Sequence, residues 1–326
     1  MKNASEALLE VRGLCVEYGS IRIVENVDLS LRAGERYALV GESGAGKSAT
    51  ARALIRLDGR ARVSGSVRFD GVELMELSER QMATHRGNGV GVVLQDPLSA
   101  LNPVMTIGEQ ITEPLRIRGV SRDVADKKAI ALLDELGVAN ARQRLTSYPH
   151  EFSGGMRQRV AIAMALIAEP KFLIADEPTT ALDSQAQDRV LTALDLVARE
   201  RGLAVLIITH DLGVVAGFAE RVGIMYAGRK IEEGPTARVL RAPAHPYTWA
   251  LIGAVPRLGP VAARLPSIAG EPPSPARRPS GCSFYPRCKV AQAVCREVEP
   301  HLAPFSDEGW RVSCHIAAEL AAGDAS

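Results

Sequence analysis

The chain has 326 residues, 46% hydrophobic and 24% charged, and its 39 Lys and Arg nearly cancel 38 Asp and Glu to leave a net charge of +1. That length exceeds what one hydrophobic core usually serves, which predicts one large domain with an appendage, and the charge balance gives no electrostatic case for a nucleic-acid partner. No apolar stretch follows Met1-Lys2-Asn3-Ala4-Ser5-Glu6, and the longest apolar run, Val160 to Ala168, is bracketed by Arg159 and Glu169, so neither a signal peptide nor a membrane span is expected.

From Leu8 to about Asp58 the pattern predicts strand, turn, strand, Gly-rich loop and helix, with Arg36 to Val40 a buried strand running straight into Gly41. From Pro97 to about Ala168 the apolar spacing turns helical. Its clearest segment runs from Ser121, a capping residue, to Leu136, with Val124, Ala131, Leu132 and Leu136 on one face and Gly137 as the stop. Strands return at Phe172–Ala175, Ala204–Thr209 and Val222–Tyr226, each continuously apolar as parallel strands covered on both faces are. The fold class is therefore α/β with a helical segment inserted. After about Arg241, Pro243, Pro246, Pro256, Pro260, Pro266, Pro272, Pro273, Pro275 and Pro279 exclude long regular elements and predict a surface linker. No internal repeat is present.

Gly41-Glu42-Ser43-Gly44-Ala45-Gly46-Lys47-Ser48 meets G-x-x-x-x-G-K-[ST] at every fixed position. Its glycines let successive backbone N–H groups face inward as an anion nest, which the following helix N-terminus reinforces. Lys47 then sets a point charge on the β- and γ-phosphates of a nucleotide, and the Ser48 hydroxyl ligates Mg²⁺. Phe172 to Ala175 leads into Asp176 and Glu177, side chains that a strand delivers to the carboxyl edge of its sheet. Asp176 suits the Mg²⁺ shell and Glu177 suits a general base for the attacking water, although a carboxylate pair after a strand is also what a solvated strand end looks like.

Phe152-Ser153-Gly154-Gly155-Met156-Arg157-Gln158-Arg159 lies 23 residues before Asp176. With it the chain resembles the ABC ATPases, whose signature Leu-Ser-Gly-Gly-Gln opens a helix. The resemblance implies a P-loop ABC-type ATPase domain over about 1–242, with a helical subdomain over about 97–168, that binds ATP and Mg²⁺. It implies that Ser153, Gly154, Gly155 and Met156, with Asp183 of the D-loop Ala181-Leu182-Asp183, cap ATP held by an opposing subunit. It further implies that Gln95 touches Mg²⁺ and reports to a membrane partner, and that His210, 33 residues beyond Glu177, holds the γ-phosphate. Tyr18 takes the place of the aromatic on which adenine stacks, though a Tyr near an N-terminal strand also reads as core. Met156 replaces the usual Gln, and Ala49 stands where many such loops carry Thr, so the two composite ATP sites need not be equivalent.

Gln95-Asp96-Pro97-Leu98-Ser99-Ala100-Leu101-Asn102-Pro103 and His245-Pro246-Tyr247-Thr248, followed by the Pro-rich tail, narrow the resemblance to ATPases of bacterial dipeptide and oligopeptide importers of the D type. That implies work at the cytoplasmic face of the membrane beside a second, non-identical ATPase, two integral permeases and an extracytoplasmic substrate-binding protein. Nickel and glutathione importers share the tail. A non-transport ABC ATPase is disfavoured, because only 129 residues separate Lys47 from Asp176, leaving no room for a long coiled coil, and one such domain is present rather than two.

Within the 243–326 extension, Cys282, Cys288, Cys295 and Cys314 follow the spacing C-x₅-C-x₆-C-x₁₈-C, while Cys15 reads as a small core residue. Four thiolates suit an iron–sulfur cluster or tetrahedral zinc; gaps longer than the pairs of a zinc ribbon favour iron–sulfur over zinc, and a short Pro-rich segment's need of a staple disfavours unligated thiols. Some importer ATPases that this chain resembles carry a four-iron four-sulfur cluster here, either as a structural staple or as a redox sensor. The segment 281–315 is expected to be too short to bury a core of its own.

Overall fold

The computed structural model describes residues 7–95, 100–180, 182–255, 267–306 and 309–323. Asp96 to Ser99, Ala181, and the prolines Pro256, Pro260 and Pro266 lie outside the described residues. In chain order the elements are strands β1 (Leu9–Tyr18), β2 (Ile21–Leu31) and β3 (Arg36–Val40), helix α1 (Lys47–Leu54), strands β4 (Arg62–Phe69) and β5 (Val72–Glu73), helix α2 (Glu79–Asn88) and strand β6 (Val90–Val93). Helices α3 (Ile107–Ile117), α4 (Arg122–Glu135), α5 (Ala141–Arg144) and α6 (Gly154–Leu166) follow, then β7 (Phe172–Asp176), α7 (Ser184–Arg201), β8 (Ala204–Thr209), α8 (Leu212–Phe218), β9 (Arg221–Tyr226) and β10 (Arg229–Pro235). The chain ends with α9 (Thr236–Arg241), α10 (Pro246–Gly253), α11 (Val294–Glu297), β11 (Ala303–Ser306), β12 (Trp310–Val312) and α12 (Ala317–Gly323).

Two compact units result. The first comprises residues 1–8, 31–36 and 76–208, and the second residues 9–30, 37–75 and 209–326. In the first, β6, β7 and β8 run parallel with β7 in the middle, in register Val90 with Phe172 and Phe172 with Ala204. Every residue of β7 and β8 is buried, as strands with both faces covered must be. The helices of this unit start where short polar side chains close the first turn. Ser78 and Thr106 form capping boxes with Gln81 and Glu109, and Ser153 and Asp183 accept from Met156 and Ala186.

Helix α4 spans nearly the segment that the sequence predicts, and Gly137 terminates it with φ 71°. Its buried face differs from the expected one. Ala125, Ala129, Leu132, Leu133 and Leu136 are buried, whereas Val124 is 46% exposed and Ala131 is also exposed. Ser121 occupies the N-cap without a side-chain capping bond. Small alanines on the inner face let the neighbouring helix approach closely, so packing rotates the face away from the bulkier Val124.

The second unit holds an antiparallel sheet ordered β2-β1-β4-β5 and a run β11-β12-β10-β9-β3 in which only β3 and β9 are parallel. The tail is more regular than its prolines suggest, since β12 pairs with β10 through Glu232 and Val312 and buries Trp310. A strand of three residues carries too little alternation to be read from sequence, and it forms here because an existing edge recruits it. The Glu232 carboxylate organises this region. It accepts from the Ala244 and His245 amides at 2.8 and 3.1 Å and from the Trp310 indole at 3.0 Å. Among the described residues, no helix is long and apolar enough to cross a membrane.

His245 caps α10, its Nδ1 accepting from the Tyr247 amide at 3.0 Å, and burial holds its pKa down to about 3. A depressed histidine contributes stability above its unfolded pKa and loses it as pH falls toward the folded value. Denaturant unfolding should therefore show the protein about 2 kcal/mol less stable at pH about 5 than at neutrality from this residue alone, and His245→Asn should flatten that slope.

Candidate functional site

The buried strand β3 delivers the chain into the loop Gly41–Gly46, and Lys47 opens α1. Gly41 passes so close to β9 that a Cβ there would lie 2.2 Å from the Met225 carbonyl oxygen, and Gly44 and Gly46 take φ values of 79° and 97°. Only glycine meets both demands without strain. The loop is tied at its far side by Gly228, whose amide donates to Ala45 at 2.9 Å. No acidic residue occupies the first turn of α1, so its positive end is left to an outside anion. The ammonium of Lys47 is buried and donates to the Gly41 and Glu42 carbonyls at 2.7 and 2.9 Å, folded over the mouth of its own loop. Ser48 and Ala49 follow in the first turn of α1.

Tyr18 and His210 also lie in this unit. Tyr18 ends β1, and its hydroxyl donates to Asp58 at 3.1 Å. Hydrogen bonds from Arg60, and to a smaller degree from Tyr18, hold the Asp58 carboxyl down to about 2. His210 is exposed between β8 and Asp211, which caps α8 by accepting from Gly213 at 2.7 Å.

The first unit carries the remaining groups. Asp176 is buried at the end of β7. Glu177 follows with φ 49°, its amide donating to the Ile208 carbonyl at 2.8 Å. A glutamate in the left-handed region is strained by roughly 1–2 kcal/mol, a cost that surrounding structure must impose. Its carboxylate accepts from the Gln95 amide at 3.0 Å and from the Thr180 hydroxyl at 2.9 Å. Gln95 and Glu177 are thus one group, braced by Thr180, which the motif reading does not include. A Thr three residues downstream is the only signal the sequence offers for it.

Ser153 and Gly154 are exposed at the start of α6. A Cβ on Gly155 would meet the Ala186 side chain at 3.3 Å, and one on Gly154 would meet Leu182 at 3.4 Å. The starts of α6 and α7 therefore lie side by side, and Asp183 caps the second while Ser153 caps the first. Two helix N-termini with exposed small residues form a surface suited to an anion brought by another molecule.

Residues 24–180 match the family described as "ABC transporter", and residues 231–295 match "Oligopeptide/dipeptide transporter, C-terminal region". The chain is 46% identical over 308 residues to the oligopeptide transport ATP-binding protein OppD of Salmonella typhimurium, covering 93% of this chain and 92% of that one. Among solved structures it is similar to the dimeric post-hydrolysis state of the ATP-binding cassette MJ0796 bound to ADP and Pi, at 29% identity and TM-score 0.63, covering 70% of this chain and 98% of that one. It is also similar to cbiO1 from Clostridium perfringens, part of the transporter complex cbiONQ, at 26% identity and TM-score 0.64, covering 73% of this chain and 97% of that one. The chain belongs to the ATP-binding proteins of ABC transporters, in the oligopeptide/dipeptide transporter group. It is an ATP hydrolase that energises a membrane transporter, and membrane permeases are its partners.

Replacing Lys47 by Ala removes the one cation of the phosphate loop. A nucleotide-binding titration should show ATP affinity falling roughly 10- to 100-fold, the worth of a hydrogen bond to a charged group, with the fold retained by circular dichroism.

Proposed function

We propose that this chain is the ATP-hydrolysing subunit of a di- or oligopeptide importer, acting on the cytoplasmic face of the membrane beside a second, non-identical ATPase. The observation that carries hydrolysis is the Glu177 carboxylate, held by Gln95 and Thr180 at the end of a fully buried strand. Such an oriented carboxylate can take the proton of an attacking water, and Asp176 beside it suits Mg²⁺; in the other unit Ser48 suits Mg²⁺ and Lys47 and His210 suit the γ-phosphate. The exposed Ser153 and Gly154 support a shared site. They serve the ATP of the opposing subunit, so that each ATPase supplies half of two sites. The peptide cargo and the substrate-binding protein rest on the likeness to the Salmonella protein and on the matched C-terminal region.

The four tail cysteines are read as ligands of a four-iron four-sulfur cluster. Cys282, Cys288, Cys295 and Cys314 are all free, and all line one small cavity with Phe284, Tyr285 and Ile316. Burial, with smaller contributions from the neighbouring thiols, pushes Cys282 and Cys288 up and Cys314 up to about 11. Among the described residues no three His, Cys, Asp or Glu side chains gather round one point as ligands of a single ion. Four free thiols around one cavity are the donor set that cysteine-ligated iron–sulfur clusters use. Such a group, when bound, supplies metal–thiolate bonds that staple the segment. Metal binding takes thiolates, and with Cys282, Cys288 and Cys314 pushed up, loading releases protons and strengthens as pH rises.

Two measurements test the two halves of this reading. Glu177→Gln should bind ATP normally but lose about 10²–10⁴-fold in steady-state turnover by the assembled transporter, and retention of most activity would remove Glu177 as the base. Anaerobically purified protein should be brown and contain iron and acid-labile sulfide, and Cys288→Ser should lose both. A colourless preparation with stoichiometric zinc would replace the cluster by zinc, and the absence of both metals would overturn a metal site in the tail.

A further inference from the structure

Glu42, the first variable residue of the phosphate loop, is held at three points. Its carbonyl accepts from Lys47 at 2.9 Å, its amide donates to the Tyr247 hydroxyl at 2.9 Å, and its carboxylate forms a bidentate ion pair with Arg287 at 2.7 and 3.0 Å. The Arg287 side chain is only 4% exposed. Its Nε donates to the Ala269 carbonyl at 2.9 Å and Nη1 to the Tyr226 hydroxyl at 3.3 Å, while its guanidinium lies over the Tyr226 and Phe284 rings at 5.8 and 5.9 Å. Tyr247 is fully buried against Tyr226 and Phe284, with ring centroids 4.6 and 5.4 Å away. A guanidinium fixed on so many sides loses little further freedom in pairing with Glu42 and sets the direction of that carboxylate.

We propose that Arg287 and Tyr247 are positioning residues of the nucleotide site, so that the C-terminal segment completes the phosphate loop. The proposal rests on the ATP-binding reading above. Two physical reasons support it. An acidic side chain inside an anion-binding loop repels phosphate, and Arg287 cancels that charge in place. A phosphate that draws Lys47 onto itself takes that ammonium from the Gly41 and Glu42 carbonyls. The Ala45 amide, at 3.2 Å from the Glu42 carbonyl, then holds Glu42 together with Arg287 and Tyr247, and the share carried by these two side chains is greatest with nucleotide bound. Arg287 directly precedes Cys288, so the segment that carries the cysteines also carries this grip.

The test is a Mg-ATP titration of the full-length chain, with AMP as the comparison ligand and thermal melting without nucleotide as the control. Arg287→Ala should weaken ATP binding roughly 10- to 100-fold, the cost of truncating one partner of a buried charge pair, and weaken AMP less because it carries less charge. Tyr247→Phe should weaken ATP by a few-fold. In the Glu42→Gln/Arg287→Ala double variant most of the loss should return, because the uncompensated carboxylate is gone. Where Arg287→Ala is insoluble, Arg287→Lys keeps the charge without the fork and should shift affinity in the same direction. A lower melting temperature with unchanged ATP affinity would reduce Arg287 to a structural staple and overturn the proposal. An equal loss for ATP and AMP, or no recovery in the double variant, would overturn it as well. Failure of the unaltered chain to bind ATP would strike the ATP-binding reading itself.

Discussion

The contact between Gly41 and the carbonyl of Met225 constrains the loop more tightly than any other. The parallel pairing of β3 with β9 brings the loop's first residue to a distance that no side chain tolerates, and that closeness places the following amides and the Lys47 ammonium. A phosphate loop must keep its donors converging while no anion is present to reward it. Here the strand pairing, the Gly228 amide and the folded-back lysine share that task. The backbone is preorganised, so binding need not order it, and the free energy of phosphate contact is retained as affinity.

The local motifs were legible because each is contiguous. Gly41 to Ser48, Phe152 to Arg159 and Phe172 to Glu177 bring their chemistry within a few residues, and the strand and helix that flank a phosphate loop follow from apolar runs alone. The packing between distant segments was not legible. Glu42 and Arg287 are separated by 245 residues, and neither has a neighbour in sequence that names the other. The face of α4 was misplaced because periodicity weighs Val124 as apolar, whereas the neighbouring helix selected the smaller Ala125 and Ala129. The hairpin of β11 and β12 is invisible to periodicity for a related reason, since edge pairing with β10 supplies what its short strands lack.

The C-terminal segment is built on a few buried polar groups rather than on a large apolar core. Glu232 receives three donors, His245 is kept neutral, and the aromatic group Tyr226, Tyr247 and Phe284 fills the space between them. Each of these groups would be costly to bury alone, and together they satisfy one another. Fully paired networks of this kind define one arrangement sharply, because a shifted register would leave a donor or carboxylate without its partner. Four thiols lining one cavity extend the same logic on the proposed reading, in which a shared metal group settles them.

With Glu177 as the proposed base, its left-handed backbone sets catalysis and durability against each other. A glycine would fit that conformation without strain, so the sequence holds the less comfortable residue for the sake of its carboxylate. Selection for robustness alone would drift toward the relaxed residue and yield a sturdier protein that cannot turn over. A redesign that scores only folding would favour glycine there, as at the other left-handed positions such as Arg56 and Glu169, and on the proposed reading position 177 is where it has to be overruled.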